Sequence, residues 1–322
     1  MNKKDVRNLE GYVNAILPEP HDIPHLKGHD IFGETFQLFP NLGGDHIIFV
    51  DFKRRFSIDT LIRETLESAR SVPEKKRIVD NLQRAKTKVG ILVADVSGHD
   101  QTDVVFTYGF HQAFLTGVAY ELKNNGDVTR DLIDILNNRF VRSSGKCKYV
   151  TLIYAEFFEN GDFKFISAGH PLPLIFSREQ GAVCNLHKSS YVSSLPMSMF
   201  HTARENGEST RRRKQIFTSF SINSSHIPQT GDMVMLYTDG FSEHRGHQGS
   251  LYFDQSPQGK GGRIQDVFNG NRDLKAKDLY HVIKEDLLRF GTPRDDISFV
   301  IIKREKNTDG GGKNTDKEED TD

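Results

Sequence analysis

The chain has 322 residues, 36% of them hydrophobic, with 43 Lys and Arg against 44 Asp and Glu, a length that accommodates one large domain or two ordinary ones. The balanced charge excludes a global basic field, so neither nucleic acid nor a membrane is expected as a partner. Two cysteines, Cys147 and Cys184, make no disulfide framework; with no apolar run near the roughly 20 residues that cross a bilayer and no signal-peptide core after Met1, a cytoplasmic location is expected.

Residues 5–17 carry Val6, Leu9, Val13, Ile16 and Leu17 at helical spacing, and Pro18 and Pro20 end that stripe. His21, His25 and His29 recur every four residues, a spacing that suits a metal on a helix. Pro20, Pro24 and Gly28 break such a helix, so a solvated loop is expected there. Asn41–Leu42–Gly43–Gly44–Asp45 is a glycine turn that sets Asp45 at the start of the apolar strand Ile47–Val50. Residues 57–88 read as a helical hairpin broken at Pro73 and inserted between two strands. Docking, self-association into a homo-oligomer and plain decoration are all open for this insertion.

Val89–Gly90–Ile91–Leu92–Val93–Ala94–Asp95 is an apolar run leading into a carboxylate, the pattern of a strand buried on both faces. An ionised Asp95 at its mouth is costly unless something neutralises it. After the turn at Gly98, Val104, Tyr108, His111, Leu115, Val118 and Leu122 share one helical face that ends before Gly126. His111 on that face is read as a packed histidine. Thr129 caps a second helix with Leu132, Ile133, Leu136 and Phe140. Strands return at Tyr149–Phe158 and Phe163–Ala168 around the turn Glu159–Asp162. Ala168–Gly169–His170–Pro171 is a stiff corner in which His170 orders the turn into Leu174–Phe176.

Residues 185–230 are irregular, and the basic cluster Arg211–Lys214 reads as solvated. Met233–Tyr237 is another buried strand, ending in Thr238–Asp239–Gly240. A polar, glycine-rich stretch runs to about residue 272. Asp273 then caps a helix carrying Ala276, Leu279, Val282, Ile283, Leu287 and Phe290, which Gly291 stops. Asp295 and Asp296 lead into the last strand, Ile297–Ile302, and the tail from Glu305 to Asp322 has no apolar residue and reads as disordered.

Asp45 and Asp295 stand just before apolar strands, and Asp95 and Asp239 just after them. In antiparallel neighbours the start of one strand lies beside the end of the next. With that pairing the four acids gather on one edge of the sheet. Any one alone is an ordinary turn or capping residue, but four together cannot all stay ionised unaided. Hard oxygen donors suit Mg²⁺ or Mn²⁺. Two such ions, about 3.5–4 Å apart, can clamp a phosphoryl group and lower the pKa of water to near neutrality. No G-x-S-x-G, C-x-x-C or Walker loop offers a competing chemistry. A two-metal phosphodiesterase acting on nucleotides is open at this point.

Gly43–Gly44–Asp45, Asp95–Val96–Ser97–Gly98–His99, Ala168–Gly169–His170–Pro171, Leu236–Tyr237–Thr238–Asp239–Gly240 and Asp295–Asp296–Ile297–Ser298 occur in this order. Together they resemble the motifs of the PPM-type serine/threonine protein phosphatases, SpoIIE/RsbU-like bacterial branch, over roughly residues 10–304. The resemblance implies an α+β fold, a four-layer α/β/β/α sandwich of two antiparallel sheets flanked by helices. It implies a lead-in segment over 1–30, a phosphatase domain over 31–304 and a polar tail over 305–322. It implies two Mn²⁺ or Mg²⁺ ions held by Asp45 and Asp95 with the Val96 carbonyl, and by Asp239 and Asp295. Asp296 is the alternative ligand if that motif is offset by one. Gly44, Gly98, His99, His170 and Gly240 would order the turns. The implied activity is hydrolysis of phosphoserine or phosphothreonine on a regulatory protein such as an anti-anti-sigma (STAS) factor. A phosphatase-fold regulator acting by partner binding is the alternative. The sequence departs from the family at His46 and Ile48, where an aromatic and an acid are usual, and at Asp100, where glycine is usual. Val104, Val105 and Phe106 likewise replace small residues.

Overall fold

Runs of β-branched and aromatic residues build two sheets, each buried on both faces. The computed structural model describes residues 11, 15–38, 43–98, 101–143, 148–184, 191–200, 220–254 and 261–306. One sheet carries, in spatial order, β1 (His29–Phe36), β11 (Ile297–Arg304), β10 (Met233–Tyr237), β6 (Leu174–Ser177) and β7 (Ala182–Cys184). The other carries β2 (Asp45–Asp51), β3 (Lys88–Val96), β4 (Val150–Phe158) and β5 (Asp162–Ala168), with the short β8 (Ser193–Ser194) and β9 (Asn223–His226) both on β5. Every pairing is antiparallel except β5 with β8.

Alternation along each strand explains the continuous apolar runs. Ile47 and Phe49 of β2 face Val234, Leu236, Val300 and Ile302 in the core between the sheets. Ile48 and Val50 point the other way, into a helical layer. That layer consists of α1 (Phe52–Arg55), α2 (Ile58–Glu67), α3 (Val72–Ala85), α4 (Gln101–Asn125) and α5 (Arg130–Ser143). The outer face of the β1 sheet is covered by α6 (Asp239–Ser242), α7 (Arg263–Asn271) and α8 (Ala276–Phe290), around Phe241, Phe268 and Ile283. The expected four-layer sandwich is the observed architecture. Among the described residues no helix is long and apolar enough to cross a membrane.

The segment 57–88 is no decoration. Ile58, Ile78, Leu82 and Ala85 are buried in the helical layer. The hairpin breaks at 68–71, and Pro73 falls in the first turn of α3, where its missing N–H costs no helical bond. Its far side is fastened to the end of α4: Arg70 donates to the Asn124 carbonyl at 3.0 Å and Asn81 to the Asn125 carbonyl at 2.8 Å. Gly126 follows with φ +71°, and a Cβ there would lie 2.4 Å from the Ile78 carbonyl oxygen.

Other local expectations change. Asp273 does not cap α8; its carboxylate pairs with Arg178 at 2.6 Å. The cap comes from β1, where the Asp30 carboxylate accepts from the Ala276 amide at 2.7 Å. Helix α7 lies in the stretch read as polar and glycine-rich, because a helix of 9 residues burying only Ile264, Val267 and Phe268 leaves a faint period in sequence. His29 is buried on β1 beside Arg304, while His21 pairs with Glu19 on the surface, so the histidine series does not converge. Cys147, most of the lead-in stripe, Arg211–Lys214 and residues 307–322 lie outside the described residues.

If the hairpin is part of the core, Leu82→Ala lowers the unfolding free energy by about 2–5 kcal/mol. Leu66→Ala, at a side chain 56% exposed on α2, changes it by no more than about 0.5 kcal/mol. Urea denaturation measures both, and equal effects would sink this view of the hairpin.

Candidate metal centre

Each sheet brings acids to the same end of the sandwich. In one, Asp45 opens β2 directly opposite Asp95 of β3. The Val96 amide donates to the Gly44 carbonyl at 3.1 Å, which holds the glycine turn against the end of β3. A Cβ on Gly44 would stand 2.4 Å from the Val96 carbonyl oxygen and 2.8 Å from an Asp95 carboxylate oxygen. Only glycine lets these two oxygens sit so close to the turn. In the other sheet, Asp239 opens α6 just after β10, and Asp295–Asp296 lead into the neighbouring β11. A Cβ on Gly240 would meet the Asp296 carbonyl oxygen at 1.9 Å.

The acids therefore do not share one sheet edge. They form two groups on two sheets, joined across the sandwich. The Thr238 hydroxyl donates to an Asp45 carboxylate oxygen at 2.7 Å. The Ser298 amide donates to the Thr238 hydroxyl oxygen at 3.1 Å, and the Ser298 hydroxyl bonds that of Thr35 at 2.8 Å. Asp296 accepts from the Leu38 amide at 2.7 Å, and the nearby backbone of Gly44 and Asp45 also favours its charged form. Thr238 and Ser298 are quoted within motifs in the sequence but carry no assigned role there. Their one signal was a hydroxyl side chain at the end of otherwise apolar strands.

Electrostatics ties these carboxylates into one site. Burial, then the charge of Asp95, pushes the Asp45 carboxyl well above the usual range, with the Thr238 hydroxyl opposing and Asp296 adding. Burial raises Asp296, and Asp295 adds to it against the amide hydrogen bonds. Burial raises Asp239, with Asp295 and Glu243 adding. Among the described residues no Lys or Arg is among the largest influences on these three acids. A series of like charges without a cation is unstable as it stands.

Among the described residues no three His, Cys, Asp or Glu side chains form a ready metal cage. The donors nonetheless fit a hard divalent ion: they are carboxylates with one backbone carbonyl, around a space that a Cβ on Gly44 would fill. Metal-ligand candidates are thus Asp45, Asp95, the Val96 carbonyl, Asp239, Asp295 and Asp296.

Histidines back this end rather than line it. Thr151 faces Asp95 across β3 and β4, and its hydroxyl lies 3.0 Å from Nδ1 of the buried His170. Burial drives His170 down to about 3, with the Tyr237 carbonyl opposing, so its ring is neutral. His46 Nε2 lies 2.8 Å from His111 Nδ1 on α4. Burial first, then the neighbouring His111, brings His46 to about 3; burial and then Arg55 bring His111 to about 4. One ring donates and the other accepts. Gly98, with φ +116°, makes the turn after β3, while His99 and Asp100 lie outside the described residues.

Asp45 supplies a signed pH dependence. Its pKa is raised on folding, so above the unfolded value of about 3.8 the unfolded chain releases a proton that the metal-free fold retains. That contribution weakens the fold as pH rises toward the folded pKa, by up to about 1.4 kcal/mol per pH unit. In metal-free buffer, Asp45→Asn therefore gains on wild type in calorimetric stability as the pH rises above about 4. A difference that does not move with pH would show that Asp45 is not held protonated.

Residues 85–305 match the family described as Stage II sporulation protein E (SpoIIE). None of the curated proteins matches the chain. Among solved structures, the RsbU and RsbW domains of Rv1364c from Mycobacterium tuberculosis superpose with a TM-score of 0.57 at 18% identity, covering 88% of this chain and 62% of that one. The SiaA-PP2C domain of Pseudomonas aeruginosa gives 0.56 at 14%, covering 94% and 97%. The PP2C phosphatase domain of Bacillus subtilis SpoIIE, with a fragment of its regulatory domain, gives 0.54 at 13%, covering 87% and 64%. At these identities the likeness is one of fold, and this chain spans less than two thirds of the first and third. Its matched segment carries β3 with Asp95, β10 with Asp239 and β11 with Asp295, and the chain belongs to the SpoIIE family of PPM-type phosphatases.

Proposed function

We propose that the chain is a metal-dependent protein serine/threonine phosphatase acting on a phosphorylated regulatory protein, such as an anti-anti-sigma (STAS) factor. The observation that carries this reading is the convergence of five acids at one end of the sandwich: Asp45 stands opposite Asp95 across β2 and β3 and accepts from Thr238, which sits beside Asp239 at the end of β10, while Asp295 and Asp296 lead into the neighbouring β11. Asp45 and Asp95, with the Val96 carbonyl, would hold one ion or both; Asp239 and Asp295 would complete the second. Asp296 is buried and accepts from the Leu38 amide, whereas Asp295, which accepts from the Asp296 amide, is half-buried and so the more accessible of the two. When bound, Mg²⁺ or Mn²⁺ would supply Lewis acidity at a phosphoryl oxygen and a water acidic enough to attack phosphorus.

The chain's own residues fix the donors. Thr238 orients the Asp45 carboxylate, Gly44 and Gly240 permit the close approach of backbone to acid, and neutral His170 steadies Thr151 opposite Asp95. A regulatory phosphoprotein as substrate is supported by the motif resemblance and by the first neighbour, in which RsbU and RsbW domains occur together.

Hydrolysis of a phosphoserine peptide with Mn²⁺ tests the reading. Removing a residue that supports a metal ligand typically costs about 10–100-fold; Thr238→Val should fall in that range and Asp95→Asn should lose more. Turnover that survives chelation, or is unchanged in Asp95→Asn, would overturn it. A second reading, a regulator without turnover, is favoured by Ile48. Where the family usually has an acid, this side chain is 2% exposed in the helical core. Calorimetric titration with Mn²⁺ separates the two, since occupied sites without phosphopeptide turnover would select the regulator.

A further inference from the structure

Charge is segregated along this chain. Residues 52–88 hold eleven Lys and Arg against five Asp and Glu, while the whole chain has a net charge of −1. On the surface seven of these cations line two shallow concavities. Lys53, Arg54, Arg55 and Lys86 surround one at α1 and the start of α2. Lys76, Arg77 and Arg84 line the other along α3. The two adjoin at the C-terminal end of α3, where Arg84 and Lys86 stand two residues apart. Compensation is partial. Lys86 meets Asp59 at 2.6 Å and Arg55 meets Asp22 at 3.4 Å. Lys53, Lys76 and Arg77 are exposed and form no ion pair among the described residues.

The chain carries a segment of matching chemistry. Its last seven residues contain Asp316, Glu318, Glu319, Asp320 and Asp322 against the single Lys317. The exit point is favourable. Arg304, at the end of β11, donates to the Glu159 carbonyl at 2.6 Å. The Glu159 amide donates in turn to the Thr87 carbonyl at 3.1 Å, next to Lys86. Between Lys306 and Asp316 runs a polar stretch with Gly310–Gly312. Ten residues reach at most about 35 Å when extended. Tethering at that length gives an effective concentration on the order of millimolar. An acidic segment from elsewhere would have to compete with that. A nearer set of cations is already satisfied: Arg178 pairs with Asp273, Lys275 with Glu305, and Lys303 donates to the carbonyls of Arg272 and Leu274.

We propose that the acidic C-terminal segment 316–322 docks on the basic face of α1–α3 within the same molecule. Zero-length carbodiimide coupling joins carboxylates to lysines only in direct contact, so it reports the docked state without reference to turnover. In the full chain at low salt, peptide mapping of the monomer should show Glu318 and Glu319 linked to Lys53, Lys76 or Lys86. These links should fall at least fivefold at about 0.5 M NaCl, where the Debye length is only a few ångströms. The full-length double variant Lys76→Glu/Arg77→Glu should lower the links at Lys53 and Lys86 severalfold while its melting curve stays cooperative. Links spread evenly over exposed lysines, links confined to Lys275 and Lys306, or links found only in covalent dimers would each overturn the proposal. The last outcome would assign the face to a second copy of the chain.

Discussion

One buried carboxylate sets the terms for the rest of the site end. Asp45 lies between the two sheets, faces Asp95 across its own, and bonds Thr238 on the other. An ionised group so placed costs several kcal/mol unless it is compensated. The fold answers with hydroxyls and amides, a partial answer, since the remaining neighbours are acids. The glycines at 44 and 240 follow from the same constraint. Each lies where a side chain would push an acid or its carbonyl out of the cluster.

The opposite end of β3 meets the same problem with the opposite solution. Lys88, at its start, is buried against Glu156 at 2.5 Å and also pairs with Asp127, while Lys164 lies 3.1 Å from each acid. Burial alone would raise Asp127, but Lys88 and Lys164 outweigh it and hold that carboxyl below its usual value. The Tyr154 hydroxyl donates to Glu156 at 2.9 Å, and burial with that neighbouring acid carries its own pKa well above normal. Charges at this end alternate in sign and complete one another. Those at the Asp95 end share a sign, so only that end calls for an ion from outside.

Much of this was legible in sequence because the strands are buried on both faces. Val89–Ala94 and Met233–Tyr237 are continuous apolar runs that admit no other reading, and the acids at their ends stand out against them. The hairpin over 57–88 was legible as helices but not as core. Its stripe of Ile58, Ile78 and Leu82 is narrow, and only the packed layer shows what covers it. The split of the acids over two sheets was not legible, because sequence order does not say which strands are neighbours. The role of Thr238 was hidden for a related reason: a hydroxyl gains meaning only through the group it faces, and Asp45 is 193 residues away.

That separation has a kinetic consequence. The bond between Thr238 and Asp45, and that between Leu38 and Asp296 at a separation of 258 residues, cannot form until nearly the whole chain has been gathered. Closing such loops costs entropy that grows with the logarithm of their length, and folds rich in contacts of this range fold slowly. Neither half of the chain carries the complete set of acids, so a partly folded intermediate offers an ion no more than a fragment of the site. A cation that recognises the full cluster would bind the native ensemble alone, and its concentration would set how far the equilibrium favours the finished fold.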